Sequence, residues 1–282
     1  MKDLTVFVLT HNRGELLLET IESILNQTCN DFKFIVSDNS SNDETMRLLE
    51  ERGYLGKFEY RKRDKEYPSM EHFNLCLSEV DTTYFVLFHD DDVMLPDYVE
   101  KMYSMIFETK YVAVGCNAFY LVDKVKTKKC MLHTKKDLIL NEKDFIKQYC
   151  NLNIVPYPSY MYSKKLISDV NFDNSFGKYS DVFWLLRLNA TAPIFWNKKA
   201  LMYYRIHKGQ DSTHIDFKNS WKLDNLYSNY VSSSMIREYR IKKLYNYSVN
   251  STKSFSCKLF CIFFTCNLFL SFKYLIKKCL VL

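Results

Sequence analysis

Apolar and polar residues follow two different periods along the first part of the chain. The runs 4–9, 32–36 and 84–88 are almost continuously apolar, as in strands that are buried on both faces of a sheet. Between them, the stretches 15–26 and 44–52 place apolar residues at helical spacing, with acidic residues on another face. This alternation of strands and helices predicts an α/β fold with a mainly parallel sheet flanked by helices.

The rest of the chain has shorter patterns. We predict strands or strand-like apolar runs at 58–61, 111–116, 119–122 and 200–205, and helices at 69–80, 96–107, 141–149, 181–189, 217–232 and 236–247. The lysine-rich stretch 124–136 is predicted to be an exposed hairpin or loop. The α/β part is therefore expected to be followed by a helical C-terminal extension.

The end of the chain differs from the rest in charge. From residue 236 to residue 282 there are nine Lys or Arg against one acid, a balance of +8. Within it, 259–272 is a mostly apolar run of 14 residues with lysines on both sides, shorter than the roughly 20 residues that span a bilayer. We expect a helix that lies on an anionic membrane surface; the alternative is a helix that packs on the domain.

Composition narrows the class of protein. The chain is 47% apolar and 16% aromatic with six glycines and five prolines, which predicts a globular protein. The net charge is +6, so the residues before 236 carry −2, and no general electrostatic attraction to nucleic acid is expected. Nine cysteines without a CxxC pair argue against a zinc site or a disulfide framework. Together with the absence of a signal-peptide pattern, they favour a reducing cytoplasm.

The stretch 84–96, with the sequence YFVLFHDDDVMLP, joins a predicted buried strand to the three carboxylates of Asp90, Asp91 and Asp92. Ligands of open parallel sheets bind beyond the carboxyl ends of the strands, so these acids are expected at the mouth of a cleft. Crowded carboxylates repel one another, and a bound Mg²⁺ or Mn²⁺ relieves that repulsion. The alternative is that they only form the turn before a helix that begins near Pro96.

Polar residues also follow the first two predicted strands. The first strand runs into THNR at 10–13, and the second runs into SDNSSND at 37–43. Such short polar side chains favour a turn and the start of a helix. Neither a GxGxxG nor a Walker sequence occurs, so the chain carries no strong signal for a dinucleotide or P-loop site.

Taken in order, these motifs resemble those of the family 2 glycosyltransferases, which have the GT-A fold and transfer a sugar from a nucleotide diphosphate with inversion. The resemblance covers about residues 4–212 and rests on THNR (10–13), LNQT (25–28), SDNSSNDET (37–45), HDDD (89–92), YSDVFWLLR (179–187) and YRIH (204–207). It implies a Rossmann-like GT-A domain at 1–215, with a nucleotide-sugar part at 1–122 and an acceptor and catalytic part at 123–215. The helical extension then occupies 216–282.

The resemblance implies a donor site at the ends of the first strands. Asp38 is expected to accept a hydrogen bond from the N3–H of uracil. Thr10, Asn12 and Arg13 are expected along the nucleotide, and Asp90 beside the ribose and the diphosphate. The donor is therefore expected to be a UDP-sugar.

The resemblance also implies a site for Mn²⁺ or Mg²⁺. Asp91 and His207 are its expected ligands, and Asp92 is a further candidate. His89 stands where many family members have the first Asp of the metal-binding motif, which is a departure from the family pattern.

Asp181 is the expected catalytic base. It stands in the first turn of a predicted helix among aromatic residues, which suit the apolar wall beside a base at a sugar face. By itself this position fits an ordinary acid at a helix N-terminus better, and it is the resemblance that implies the catalytic role. Tyr157, Tyr160 and Trp184 are expected to shape the acceptor pocket, although core packing also explains tyrosines in this part of the chain.

The sequence therefore predicts an inverting glycosyltransferase. Its expected acceptor is a saccharide, lipid-linked if the tail lies on the cytoplasmic face of a membrane, as in bacterial O-antigen or capsule synthesis. One alternative is a metal-dependent nucleotidyltransferase, since carboxylates on such a sheet also suit phosphate chemistry. Another is a catalytically inactive protein that binds a sugar nucleotide or a membrane surface.

Overall fold

The computed structural model describes residues 3–122, 124–167, 170–207, 210 and 216–250, with side chains in the last helix as far as residue 244. The chain divides into two compact units. The first comprises Met1–Glu142 and Ile154–Thr213, and the second comprises Lys143–Asn153 and His214–Leu282. Lys143–Asn153 groups with the second unit in this division, and the domain boundary expected at residue 215 stays a prediction. The predicted membrane-associating tail at 258–282 lies outside the described residues.

The first unit is built on a ten-stranded mixed sheet. In chain order the strands are β1 (Leu4–Thr10), β2 (Lys33–Asp38), β3 (Glu59–Lys62), β4 (Tyr84–His89), β5 (Val93–Met94), β6 (Ala113–Val122), β7 (Val125–Cys130), β8 (Leu138–Leu140), β9 (Tyr160–Ser163) and β10 (Ile194–Ile206). Their order across the sheet is β3-β2-β1-β4-β9-β6-β10-β5, with β7 beside β6 and β8 beside β10.

Nine helices are assigned within the described residues. They are α1 (Gly14–Leu25), α2 (Glu44–Glu51), α3 (Ser69–Ser78), α4 (Tyr98–Ile106), α5 (Glu142–Cys150), α6 (Lys164–Ile167), α7 (Ser180–Asn189), α8 (Phe217–Tyr227) and α9 (Ser233–Asn250). Short 3-10 turns at Tyr157–Ser159 and Asn174–Tyr179 complete the assignment. The predicted α/β fold, with a mainly parallel sheet between helices and a helical C-terminal part, is confirmed.

Strand direction gathers the candidate residues at one edge of the sheet. β1 pairs in parallel with β2 and β4, and β2 pairs in parallel with β3. β6 and β10 are also parallel, and the antiparallel β9 between β4 and β6 makes all six of these strands run the same way. The polar segments after β1, β2, β4 and β10 therefore leave the sheet at the same edge.

Both faces of the central strands are covered. All seven residues of β1 are buried, and its alternate residues Leu4, Val6 and Val8 join a core with apolar residues of α1 and α4. On β4, Phe85 stacks on Tyr162 of β9 at 5.1 Å between ring centroids. Burial on two faces explains why these strands read as continuous apolar runs instead of alternating ones.

The structure differs from the sequence prediction mainly in the later strands. No strand was predicted between residues 149 and 181, but Tyr160–Ser163 forms β9 between β4 and β6. β10 begins at Ile194 instead of residue 200, because residues 194–197 pair with β6 before an irregularity at 197–202. β5 is only two residues long, too short to give a pattern in the sequence.

The second unit contains α5, α8 and α9. Asp224 on α8 is buried, and both of its carboxylate oxygens accept hydrogen bonds from Lys243 on α9, at 2.6 and 2.8 Å. Burial lowers the pKa of Lys243, an effect that the charge of Asp224 opposes. Among the described residues, none of the helices is both long and apolar enough to span a membrane.

Gly115 on β6 packs closely against Tyr160 and Val155, so a substitution there tests the packing of this part of the core. A Cβ at this position would lie 2.8 Å from Cε1 of Tyr160 and 2.9 Å from Cγ2 of Val155. Overpacking of this kind costs about 1–3 kcal/mol, so Gly115→Ala should lower the urea midpoint of unfolding. Adding Val155→Ala removes one of the two close contacts and should restore part of the loss. An unchanged midpoint in Gly115→Ala would mean that Tyr160 is not held in this position.

Candidate active site

The carboxyl end of β4 delivers three buried carboxylates to the edge of the sheet. Asp90, Asp91 and Asp92 are only 3%, 4% and 1% exposed. Burial in a medium of low dielectric disfavours charge, and adjacent carboxylates repel one another. The local geometry therefore depends on the cationic and N–H groups that surround these acids.

Asp90 is held by the end of β1. Its Oδ2 accepts hydrogen bonds from Oγ1 of Thr10 at 2.8 Å and from the N–H of His11 at 3.2 Å, and its Oδ1 lies 3.4 Å from a guanidinium nitrogen of Arg13. Burial and the charge of Asp91 nevertheless raise the pKa of Asp90 to about 6. Thr10 and Arg13, both predicted donor-site residues, thus meet a third predicted residue directly.

Asp91 connects β4 to the end of β10. Its Oδ2 lies 2.9 Å from Nε2 of His207 and 3.4 Å from a guanidinium nitrogen of Arg13. The two predicted metal ligands, Asp91 and His207, are therefore neighbours although 116 positions separate them in the chain.

Asp92 is the most buried of the three. Its Oδ1 accepts a hydrogen bond from the backbone N–H of Arg205 at 2.8 Å, whereas its Oδ2 is buried without a hydrogen-bond partner among the described residues. Burial and the charge of Asp91 raise the pKa of Asp92 well above its usual range. A buried carboxylate oxygen without a donor is costly unless a cation or a proton satisfies it.

The donor set fits a divalent cation. One ligand atom each of His89, Asp91 and Asp92 lies within 4.8 Å of the others, and Asp92 is also the residue whose Oδ2 has no hydrogen-bond partner among the described residues. Carboxylate oxygens suit Mg²⁺ and Mn²⁺, and imidazole nitrogen is a common ligand of transition metals. Two histidines lie at this edge of the sheet. His89 is grouped with Asp91 and Asp92, and His207 contacts Asp91.

Asp38 lies at the same edge, at the end of β2, and is fully buried. Its Oδ1 accepts a hydrogen bond from the N–H of Ser40 at 2.8 Å. Its Oδ2 accepts one from the hydroxyl of Tyr60 and lies 3.5 Å from Nζ of Lys62, both on β3. Tyr60 and Lys62 were not predicted as site residues, because their role depends on the pairing of β2 with β3.

Asn12 joins the loops that follow β1 and β2. Its backbone φ is 54°, in the left-handed region that Asn tolerates better than most residues. This conformation accompanies a hydrogen bond from its N–H to Oγ of Ser40 at 2.8 Å. A cleft of about 560 Å³ opens beside it, lined by Asn12, Arg13, Gly14, Glu15, Leu16, Asn42, Glu44, Thr45, Leu48 and His207.

Asp181 lies in the first turn of α7 and is half-buried. Burial raises the pKa of its carboxyl group to about 6, close to the range in which a general base works best near neutral pH. The charge of Asp181 contributes to the raised pKa of Tyr157, whose ring centroid lies 5.6 Å from that of His89. Tyr157 is thus a neighbour of both Asp181 and His89.

Two of the predicted acceptor residues belong to the core. Trp184 is fully buried, stacks on Phe172 at 4.1 Å between ring centroids and donates its indole N–H to the carbonyl of Val170. Tyr160 is fully buried as well, and its hydroxyl accepts a hydrogen bond from Trp196. Their rings are thus enclosed by protein, which agrees with the core packing left open as the alternative, and their acceptor role stays a prediction.

Arg205 also belongs to the site. It lies in the motif YRIH, but the sequence predicted no role for it. Its guanidinium group is 4% exposed, donates from Nε to the backbone carbonyl of Asp91 at 2.6 Å and forms an ion pair with Glu19 of α1. Arg205 lies near the end of β10, two residues before His207, and both contact Asp91; this spacing of two is the signal that could have found it.

Comparison with solved structures identifies the fold. The structure superimposes on Staphylococcus aureus TarS in complex with UDP-GlcNAc with a TM-score of 0.59 at 15% identity, covering 93% of this chain and 70% of that one. The mannosyltransferase PcManGT from Pyrobaculum calidifontis, in complex with GDP-Man and Mn²⁺, gives a TM-score of 0.62 at 11% identity, covering 99% and 80%. The fold is therefore the GT-A fold.

The sequence then gives the family. A profile described as glycosyl transferase family 2 matches residues 5–170, more than half of the chain, and the chain belongs to this family. It is 25% identical over 248 residues to a Campylobacter jejuni protein named GalNAc(5)-diNAcBac-PP-undecaprenol beta-1,3-glucosyltransferase, covering 86% of this chain and 76% of that protein. Against three other curated relatives, the chain spans 63%, 15% and 33% of their lengths.

The contacts of Arg205 predict which of its partners matters more for stability. Arg205→Gln removes the donor to the buried carbonyl of Asp91, and an unsatisfied buried acceptor costs about 1–3 kcal/mol. Glu19 is 40% exposed, so water can replace its contact, and Glu19→Gln should cost less than about 1 kcal/mol. Urea denaturation in EDTA compares the two variants. Equal losses would show that the ion pair with Glu19 carries the effect.

Proposed function

We propose that this chain transfers a sugar from a nucleotide diphosphate donor to a saccharide acceptor, with inversion at the anomeric carbon. The observation that carries the proposal is the convergence of Arg13, Asp90, Asp91, Asp92 and His207 at one edge of a GT-A sheet. Membership of glycosyl transferase family 2 supports the reaction class.

The donor is proposed to be a UDP-sugar. Asp38 would accept a hydrogen bond from uracil, with its carboxylate oriented by Ser40 and Tyr60. Asn12 and Arg13 line the adjacent cleft, where the guanidinium group suits a diphosphate. The complex of TarS with UDP-GlcNAc supports this choice, whereas the GDP-Man complex of PcManGT makes GDP the first competitor to test.

Asp91, His207 and Asp92 are the proposed ligands of Mn²⁺ or Mg²⁺. A bound divalent cation would supply Lewis-acid stabilisation of the charge that develops on the leaving diphosphate. The Oδ2 of Asp92 lacks another partner among the described residues, and the Oδ2 of Asp91 is oriented by His207 and Arg13. Arg13, which contacts both Asp90 and Asp91, is the proposed partner of the diphosphate oxygens.

Asp181 is the proposed base. In its ionised form it takes the proton of the acceptor hydroxyl while that oxygen forms a bond to the anomeric carbon and the bond to the leaving diphosphate oxygen breaks. One displacement inverts the configuration once. Tyr157, a neighbour of both Asp181 and His89, is the aromatic residue proposed to border the acceptor.

The acceptor is proposed to be a lipid-linked saccharide in the synthesis of a bacterial surface glycan. The support is the Campylobacter jejuni relative, whose name specifies an undecaprenol-linked acceptor, and the basic, apolar character of residues 258–282. We propose that the protein works at the cytoplasmic face of the membrane, where nucleotide sugars are available.

Asp181→Asn tests the base. The variant should lose about 10²-fold to 10⁴-fold in kcat, the usual contribution of a positioned base, and should keep its affinity for UDP. Because the base must be deprotonated, kcat of the native protein should rise with pH through about 6, and this limb should disappear in the variant. Glu51→Gln, an exposed carboxylate at the end of α2, is the control. Loss of UDP binding with unchanged turnover of bound donor would contradict the assignment.

The donor prediction is tested by thermal stability. The melting temperature is measured with UDP, GDP, dTDP and CMP, each with Mn²⁺ and with EDTA, because a ligand that binds only the native state raises it. UDP with Mn²⁺ should give the largest shift, and EDTA should abolish most of it. A larger shift with GDP or dTDP would change the proposed donor. No shift with any nucleotide would contradict the proposed donor site.

A further inference from the structure

A second feature of the same sheet edge is a strongly basic hairpin. Residues 124–136, here called the lysine hairpin, contain six lysines and no acidic residue. Its first strand, β7, pairs with the last residues of β6, and four of its six residues are exposed. The proposed sugar transfer does not use these lysines.

The lysine hairpin lies beside the candidate active site. Val125 pairs with Val122 of β6, and Val122 pairs with Ile206 of β10, the residue before His207. Lys126 approaches Glu19 at 3.9 Å, and Glu19 is the carboxylate that pairs with Arg205. The hairpin therefore extends from the carboxyl edge of the sheet, where the carboxylate cluster also lies.

Most of the lysines on the first part of this hairpin are not paired with a carboxylate among the described residues. Among the described residues, the carboxylate near Lys126 is that of Glu19, at 3.9 Å. Lys124, Lys128 and Lys129 have no described carboxylate within 4.0 Å. Lys129 lies over the ring of Tyr120. Val125 is 64% exposed between Lys124 and Lys126, so an apolar side chain is presented among cations at the turn.

Six lysines and no acid over 13 residues give this hairpin a cationic surface, and Val125 adds one exposed apolar side chain to it. Anionic bilayers attract lysines at their phosphates and accept small apolar side chains at the headgroup boundary. An acceptor anchored in a bilayer also requires the reaction site to approach the lipid surface.

We propose that the lysine hairpin is the surface by which the catalytic unit docks on an anionic bilayer, with its lysines at the lipid phosphates and Val125 at the headgroup boundary. The inference rests on the proposed function in one respect, the lipid-linked acceptor. Docking through this hairpin would hold the carboxylate cluster at the membrane surface. It is separate from any contribution of residues 258–282.

The test is sedimentation of the full chain with vesicles of phosphatidylcholine alone or mixed with phosphatidylglycerol. A lysine near an anionic surface strengthens binding roughly fivefold, so Lys124→Gln/Lys128→Gln/Lys129→Gln should weaken binding to the mixed vesicles by about 10²-fold. The matched control is Lys57→Gln/Lys110→Gln/Lys165→Gln. It removes the same charge from exposed lysines before β3, before β6 and after β9, at the opposite edge of the sheet.

The expected result is a large loss in the hairpin variant, a small loss in the control, and a further loss when Val125→Ser is added. Equal losses in both triple variants would overturn the proposal, because net charge alone would then explain binding. Full vesicle binding with lost affinity for inorganic polyphosphate would also overturn it and identify a soluble polyanion as the partner. The melting shift with UDP and Mn²⁺, measured on every variant, reports the donor site separately, so failure of docking and failure of the proposed function are distinguished.

Discussion

The structure of the site depends on the cost of burying three adjacent carboxylates at the end of β4. Asp90, Asp91 and Asp92 are almost completely enclosed, and each is stabilised by a different element. The end of β1 supplies donors to Asp90, His207 approaches Asp91, and the backbone of Arg205 donates to Asp92. The repulsion among the acids is thus a reason why β1, β4 and β10 must end together, and the parallel sheet is what allows it.

The same constraint explains why the cluster suits catalysis. The groups around it leave one buried oxygen of Asp92 without a donor among the described residues and keep the pKa values of Asp90 and Asp92 raised. Such a site gains free energy when a cation enters it, since the charge that is costly in the protein alone becomes favourable. Burying these acids lowers stability locally and would raise the affinity for a cation, as is common at functional sites.

Much of this fold could be predicted from the sequence, because strands buried on both faces have no polar positions. β1, β2 and β4 were predicted for that reason. β9 could not be, because its four residues follow two prolines and their pairing is set by β4 and β6. The motif order indicated that Asp91 and His207 would meet, but Trp184 and Tyr160 could not be placed, since an aromatic ring serves a core and a sugar site equally well.

The register of β10 also has a consequence for the order in which the protein is completed. The family profile ends at residue 170, while Asp181, Arg205 and His207 all come later in the chain. During synthesis, β1 to β4 emerge long before the residues that balance the charge of the carboxylates. Asp90 can meet Thr10 and Arg13 as soon as β1 and β4 pair, whereas Arg205 and His207, the partners of Asp92 and Asp91, lie 113 and 116 positions further along the chain. The carboxylate cluster is therefore complete only when the last strand of the sheet has been added.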